Sequence, residues 1–129
     1  MAIVVTRTES AMSLTTSFAA LDNLGGASVS SSFTVPQNVG AIKHVSISMS
    51  NDANEETIGL CKVSGNAMRD GDAVFTAAGM VVGATATGTS SNNIQYDTDL
   101  AVVSGNSIEI SLAGTTAATV DAAVTLHFA

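Results

Sequence analysis

The sequence has few of the residues that stabilise small secreted or sugar-binding domains. Among 129 residues it contains no tryptophan, one tyrosine, one proline and one cysteine. Because a sugar-binding platform usually stacks its ligand on aromatic faces, the lack of tryptophan argues against that class of protein. The single cysteine, Cys61, excludes an internal disulfide and is compatible with a reducing cytoplasm.

Positive charge is also scarce. Four Lys and Arg side chains stand against eleven acids, for a formal net charge of −7. Nucleic-acid binding depends on neutralising phosphates with clustered cations, so we expect no direct nucleic-acid partner. An anionic membrane surface is disfavoured for the same reason. No apolar run approaches the roughly 20 residues that span a bilayer, and the N-terminus lacks the basic segment of a secretory signal.

Small and aliphatic side chains are abundant instead. Hydrophobic residues make up 46% of the chain and charged residues only 12%. The core must therefore be built from Val, Ile, Leu, Ala and Met, which fill less volume than aromatic side chains. We expect a lightly packed monomer that buries part of its apolar surface against other copies.

The clearest secondary-structure signal is the segment Ala118–Phe128. Its apolar residues fall on one parity, and its polar residues fall largely on the other. Successive side chains of a strand point to opposite faces, so this pattern predicts a strand with one buried and one polar face.

Shorter strand signals follow one another along the whole chain at the spacing of about 8–12 residues that is typical of an all-β sandwich. We predict one antiparallel, jelly-roll-like β-sandwich domain over residues 1–129, with about eight strands. Residues 1–12 form either an N-terminal arm or an edge strand. The segment Gly83–Asn93 is predicted to be an exposed loop. The other predicted strands are Ala2–Thr6, Ser28–Val35, Ala41–Ser50, Thr57–Val63, Ala73–Val82, Ile94–Tyr96, Leu100–Val103 and Ile108–Leu112.

The residues that commonly carry catalysis are few and scattered. A hydrolytic triad needs a histidine held by an acid and facing a nucleophile. His44 and His127 both lie on the polar sides of their strands, and their spacing to Asp121 and Ser46 indicates no site. We therefore expect no catalytic residues and no enzymatic activity.

Metal and cofactor sites are not indicated either. Cys61, His44 and His127 lack the short ligand spacings of a zinc site, so Cys61 is expected to be a small buried hydrophobe. Two acidic loops, Asn51–Glu56 and Asp70–Asp72, offer only a few of the six to eight oxygens that calcium prefers. We expect these loops to be solvated turns, and we expect no metal and no cofactor.

The β-branched run Ile3, Val4 and Val5 is the candidate for self-association. An apolar strand near a terminus can add to the sheet edge of a neighbouring molecule. The alternative is that this run pairs inside its own sheet.

Three stretches together resemble small viral jelly-roll proteins, namely capsid decoration (cement) proteins and minor or single-jelly-roll capsid subunits. The stretches are the Ser/Thr-rich approach to Phe33-Thr34-Val35-Pro36 followed by Ile42–Met49, the Gly/Thr/Ser segment Gly83–Asn93, and the closing pair Ser107–Leu112 and Val120–Phe128. The resemblance implies a β-sandwich, self-association around a three-fold or five-fold axis, and contact with a capsid lattice. It carries over no catalytic residue.

The hypothesis from the sequence is a structural virion protein, either a capsid-decorating or stabilising subunit or a coat subunit. Its partners would be further copies of itself, as a trimer or pentamer, and other capsid proteins. It would be located in the virion and assembled in the host cytoplasm. The first alternative is a β-rich filament or surface-layer subunit, and the second is a monomeric ligand-binding module.

Overall fold

A computed structural model of the chain describes residues 3–51, 56–83 and 91–129. Seven long strands and four strands of two or three residues account for most of this part of the chain. The strands are β1 (Ile3–Leu14), β2 (Ala19–Ala20), β3 (Asn23–Leu24), β4 (Ala27–Ser28), β5 (Ser32–Thr34), β6 (Ala41–Asn51), β7 (Glu56–Ser64), β8 (Ala73–Gly83), β9 (Ser91–Ala101), β10 (Ser107–Gly114) and β11 (Ala118–Phe128).

The strands form two antiparallel sheets that pack as a sandwich. The six-stranded sheet has the order β4-β3-β1-β11-β6-β9. The five-stranded sheet has the order β2-β10-β7-β8, with β5 also paired to β10. This architecture confirms the predicted jelly-roll-like β-sandwich, and none of the described residues belongs to a helix that could cross a membrane.

Strand β11 lies inside the six-stranded sheet and pairs with β1 on one side and β6 on the other. Its side chains alternate strictly between buried and half-buried positions, as the sequence pattern predicts. Val124, Leu126 and Phe128 are completely buried. Each such side chain contributes about 1.5–3 kcal/mol of hydrophobic free energy to folding.

The core between the sheets is almost entirely aliphatic. Strand β10 contributes Ile108, Ile110 and Leu112 from the five-stranded sheet, and these side chains belong to the same buried cluster as those of β11. Phe128 is the one phenylalanine in the fully buried part of the described core. The expectation of a core of Val, Ile, Leu, Ala and Met is therefore confirmed.

Three predicted boundaries are wrong. The segment Ile94–Tyr96 and the residues Leu100 and Ala101 belong to one continuous strand, β9, because the intervening acids point to solvent from an outer strand. Val102 makes only an isolated bridge to Met68. The last residues of the predicted loop Gly83–Asn93 also belong to β9, while residues 84–90 lie outside the described residues. Ser28–Val35 is interrupted, with pairing only at β4 and β5.

A β-bulge bends β1 where Ser10 and Ala11 together oppose the single residue Asp121 of β11. Ala11 has a φ of 51°, which is the left-handed region that disfavours side chains other than glycine. The backbone N–H of Ala11 donates a hydrogen bond to Asp121 Oδ1 at 2.8 Å, and this bond stabilises the bulge.

Replacing Ala11 with glycine tests this strain. We expect Ala11→Gly to raise the free energy of unfolding by about 0.5–1 kcal/mol, because relief of the left-handed strain exceeds the entropic cost of glycine. The measurement is urea unfolding followed by circular dichroism. The control Ala27→Gly, at an exposed strand position without positive φ, should destabilise the protein, and equal destabilisation by both variants would contradict the interpretation.

Gly114, at the end of β10, has no room for a side chain. A Cβ atom there would clash with Thr57 Oγ1 and lie 2.9 Å from Leu14 Cδ2 and from the carbonyl oxygen of Thr116. Thr57 Oγ1 itself donates a hydrogen bond to the Thr116 carbonyl at 2.9 Å, which restricts how far it can move.

Gly114→Ala should therefore lower the free energy of unfolding by about 1–3 kcal/mol through overpacking. Gly40→Ala is the matched control, because an added Cβ at Gly40 meets no atom within 4 Å. Chemical denaturation of both variants checks the difference. Equal stability of the two variants would show that the packing around Gly114 is looser than described.

Candidate functional site

The outward side of the six-stranded sheet is a polar face made mainly of hydroxyl side chains. Residues directly opposite each other in antiparallel strands point to the same side, so the register defines this face. Thr6 Oγ1 lies 2.9 Å from Thr125 Oγ1, and Asn93 Nδ2 donates to Ser48 Oγ at 2.8 Å. We define the polar face by its outward residues on the four long strands: Val4, Thr6, Thr8, Asp121, Ala123, Thr125, His127, His44, Ser46, Ser48, Ser50, Asn93, Gln95 and Asp97.

Both histidines lie at one end of the polar face. His44 Nδ1 is 2.8 Å from Asp97 Oδ1, and His44 Nε2 is 3.0 Å from Gln95 Oε1. The ring of His127 meets that of His44 edge-on, with centroids 5.1 Å apart. Because Asp97 and Gln95 engage both ring nitrogens of His44, neither nitrogen faces a hydroxyl that it could activate.

Asp121 and Ser46 are not brought together with this histidine pair into a catalytic arrangement. Asp121 lies opposite Ser50, four residues along β6 from Ser46, and its Oδ1 accepts the hydrogen bond from Ala11. The short distance from His44 to Asp97 depends on the register of β6 against β9, which sequence spacing does not reveal.

Cys61 is separated from both histidines by the core. It lies on the inward side of β7, and burial raises the pKa of its thiol to about 12. Among the described residues no three His, Cys, Asp or Glu side chains cluster as metal ligands would. Asp70 and Asp72 are exposed in the connection from β7 to β8, whereas residues 52–55 of the other acidic loop lie outside the described residues.

A shallow depression of about 600 Å³ opens on the polar face beside Asp121. Its floor is made of small side chains and of strand backbone, and its carboxylate is already engaged by the β1 bulge. The lining residues are Ser48, Met49, Ser50, Asn93, Asp121, Ala122 and Ala123.

The N-terminal half of β1, residues Ile3–Arg7, has one unpaired side, and we call this segment the β1 edge. On one side it pairs with β11, where Val5 lies opposite Leu126. On the other side β3 pairs with β1 only at Thr8, so no described strand covers Ile3–Arg7 there. Val4 is 55% exposed and points outward.

Arg7 leaves the β1 edge without a projecting charge. Its side chain turns toward the inside of the sandwich, with the guanidinium carbon 4.6 Å from the centre of the Phe33 ring. One guanidinium nitrogen donates to the carbonyl oxygen of Thr6 at 2.9 Å. Ile3, Val4 and Val5 therefore pair inside their own sheet on one side and remain open on the other. Their role in self-association stays a prediction.

The second uncovered edge is the start of β8, residues Ala73–Phe75, which we call the β8 edge. Strand β8 is the outer strand of the five-stranded sheet. Val74 points outward and is 53% exposed, while Phe75 turns inward and packs on Tyr96 with ring centroids 5.2 Å apart. The sequence analysis missed Val74 because Ala73–Val82 is apolar on both parities, which favours an interpretation as a buried strand.

The described part of the chain thus defines an antiparallel jelly-roll-like β-sandwich with a hydroxyl-rich polar face and two uncovered strand edges. No protein-family model matches the sequence, and no curated protein sequence matches it either. Comparison with solved structures, in contrast, finds the same fold at low sequence identity.

Three of these structures illustrate the likeness. The chain is 13% identical to PRD1 vertex protein P5, with a TM-score of 0.53 over 97% of this chain and 94% of that one. It is 12% identical to the globular domain of the zebrafish complement 1qA protein, with a TM-score of 0.52 over 98% and 94%. A chain of the cyanophage Pam1 capsid asymmetric unit is 19% identical, with a TM-score of 0.48 over 98% of this chain and 83% of that one. The resemblance to viral jelly-roll proteins is therefore confirmed for the fold, which the chain shares with a viral vertex protein.

The burial of Cys61 predicts that its thiol reacts slowly with alkylating reagents in the folded protein. Because the thiol is 1% exposed and its pKa is raised, alkylation by iodoacetamide at pH 8 should be at least about 100-fold slower in the folded protein than in 8 M urea. Mass spectrometry of quenched samples measures the rate. Comparable rates in the two states would place Cys61 at the surface and contradict the strand orientation.

Proposed function

We propose that this chain is a structural protein of a virion, a capsid-decorating, capsid-stabilising or coat subunit that acts by self-association and by contacts within a capsid lattice. The observation that carries the proposal is the uncovered β1 edge, with Val4 exposed on a β-branched segment. Self-association through Ile3, Val4 and Val5 is part of the proposal.

The physical reason lies in how natural proteins treat the edges of sheets. Exposed edges are normally protected by lysine, proline, short strands or covering loops, because unpaired backbone groups accept a further strand. In the described part of the chain no strand pairs with the β1 edge, which contains no lysine and no proline and whose one cation, Arg7, lies over Phe33. An unprotected edge is stable in solution when another chain covers it.

Composition and fold support the virion part of the proposal. A low charge content and many small side chains suit a subunit surrounded by neighbours, and the likeness to PRD1 vertex protein P5 shows that a viral structural protein uses this fold. The engagement of both ring nitrogens of His44 favours a structural role over a catalytic one. Virion location and assembly in the host cytoplasm follow from the same hypothesis.

A β-rich filament subunit is the second candidate, and the same edge favours it. Strand addition at an open edge produces closed rings when the rotation between copies closes, and open polymers when it does not. The size of the assembly therefore separates the two functions. A ligand-binding module would instead remain monomeric.

Substitution of Val4 by lysine tests the proposal. Light scattering after size-exclusion chromatography should find the unaltered protein as a discrete trimer or pentamer. Val4→Lys should weaken association at least about tenfold, because a lysine at an edge opposes strand addition. The fold should survive, since the Val4 side chain is half exposed. Deletion of residues 1–8 is less informative, because it removes the partner of β11.

Ile58→Lys is the matched control, because Ile58 is 39% exposed on β7, which belongs to the other sheet. This variant should assemble as the unaltered protein does. Open filaments of the unaltered protein would move the assignment to the filament subunit. A monomer at high concentration would contradict self-association as the intrinsic activity.

A further inference from the structure

We infer that copies of this chain associate head to tail, with the β1 edge of one copy adding antiparallel to the β8 edge of the next. This inference rests on the proposed self-association and specifies its partner surfaces. The six-stranded sheet of one copy would continue into the five-stranded sheet of its neighbour.

The two edges lie on opposite sides of the sandwich. At the β1 side, Arg7 reaches over the Phe33 ring of β5, which belongs to the other sheet. At the β8 side, Phe75 packs on Tyr96 of β9, the opposite outer strand of the six-stranded sheet. A heterologous contact requires two different surfaces on one subunit, and it forms rings such as trimers and pentamers when the rotation between copies closes.

The most exposed large apolar side chains in the described part of the chain lie on the same two edges. Val4 and Val74 are 55% and 53% exposed, the highest values for large hydrophobic residues in the described part of the chain. Strand β8 contains no charged residue and no proline between Ala73 and Gly83. The outer strand β9, in contrast, carries Asp97 and Asp99, which face solvent and oppose addition of a further strand.

The faces of the two edges match in one register. Val5 and Phe75 both point inward and pack against the core, whereas Thr6 and Val74 point outward. Antiparallel pairing of Val5 with Phe75 of the next copy joins the two inner faces and sets Thr6 opposite Val74. Val4 then lies diagonal to Val74 on the outer face, where each side chain shields the other from water. A slip by one residue would turn apolar side chains to the wrong face.

The distribution of charge favours pairing of a β1 edge with a β8 edge over pairing of two β1 edges. The same register places Arg7 opposite Ala73, beside the exposed Asp72 of the next copy. The residues Ile3–Arg7 include one cation and no acid, so pairing of two β1 edges would bring no carboxylate near either Arg7.

Mixing two edge variants tests the inference. Val4→Lys blocks the β1 edge and leaves the β8 edge intact, whereas Val74→Lys does the reverse. For a head-to-tail contact, each variant alone should be monomeric, and an equimolar mixture should form a one-to-one dimer that grows no further. Labelling one variant with nitrogen-15 lets native mass spectrometry identify the mixed dimer, and the recovery of binding on mixing shows that both variants are folded.

The other outcomes overturn the inference in different ways. If Val74→Lys alone still associates and the mixture gives no mixed dimer, the contact joins two β1 edges. If Val4→Lys alone still associates, the contact joins two β8 edges or lies elsewhere. The first result leaves self-association through Ile3, Val4 and Val5 intact, whereas the second overturns it at these residues. A monomeric unaltered protein would overturn self-association altogether.

Discussion

The central constraint on this fold is that β11 pairs with long strands on both sides while every second side chain enters the core. Its buried residues belong to the same core cluster as the aliphatic side chains of β10, and its ladders hold β1 and β6 in register. A shift of β11 by one residue would move Val124, Leu126 and Phe128 into water. Strand β1 is therefore held inside its own sheet, and the part of it available to another molecule is its free edge.

The edges of the two sheets are protected very unequally. Strand β9 bears exposed acids, one of which forms a 2.6 Å ion pair with Lys43. The far part of β1 is covered by β3 and distorted by the bulge at Ala11. In the described part of the chain, the β1 edge and the β8 edge have neither exposed acids nor a covering strand or bulge. This inequality, rather than any cluster of reactive groups, is the feature from which we infer function.

The sequence predicts the sandwich and β11 correctly because a period of two is visible wherever one face is apolar and the other polar. It fails where that contrast is absent. Asp97 and Asp99 suggested a turn, yet an outer strand tolerates acids on its solvent side. The two-residue strands β2, β3 and β4 form because distant residues of β1 and β10 pair with them, which local patterns do not encode.

The candidate surfaces were predictable to different degrees. Ile3, Val4 and Val5 stand out in the sequence as a β-branched run, but only the pairing shows which of their sides is free. Val74 is indistinguishable from its apolar neighbours until the sheet order makes β8 an outer strand. The inward turn of Arg7, which removes the charge from the β1 edge, depends on Phe33 and has no local signal.

The most direct measurement is hydrogen–deuterium exchange of the amides of Ile3–Arg7 at increasing protein concentration. If copies pair through this edge, the amides of Ile3–Arg7 that point away from β11 should exchange more slowly as the assembly forms. The amides of β11, which is already paired on both sides, should not change. Exchange at Ile3–Arg7 that stays independent of concentration while the protein assembles would contradict the account.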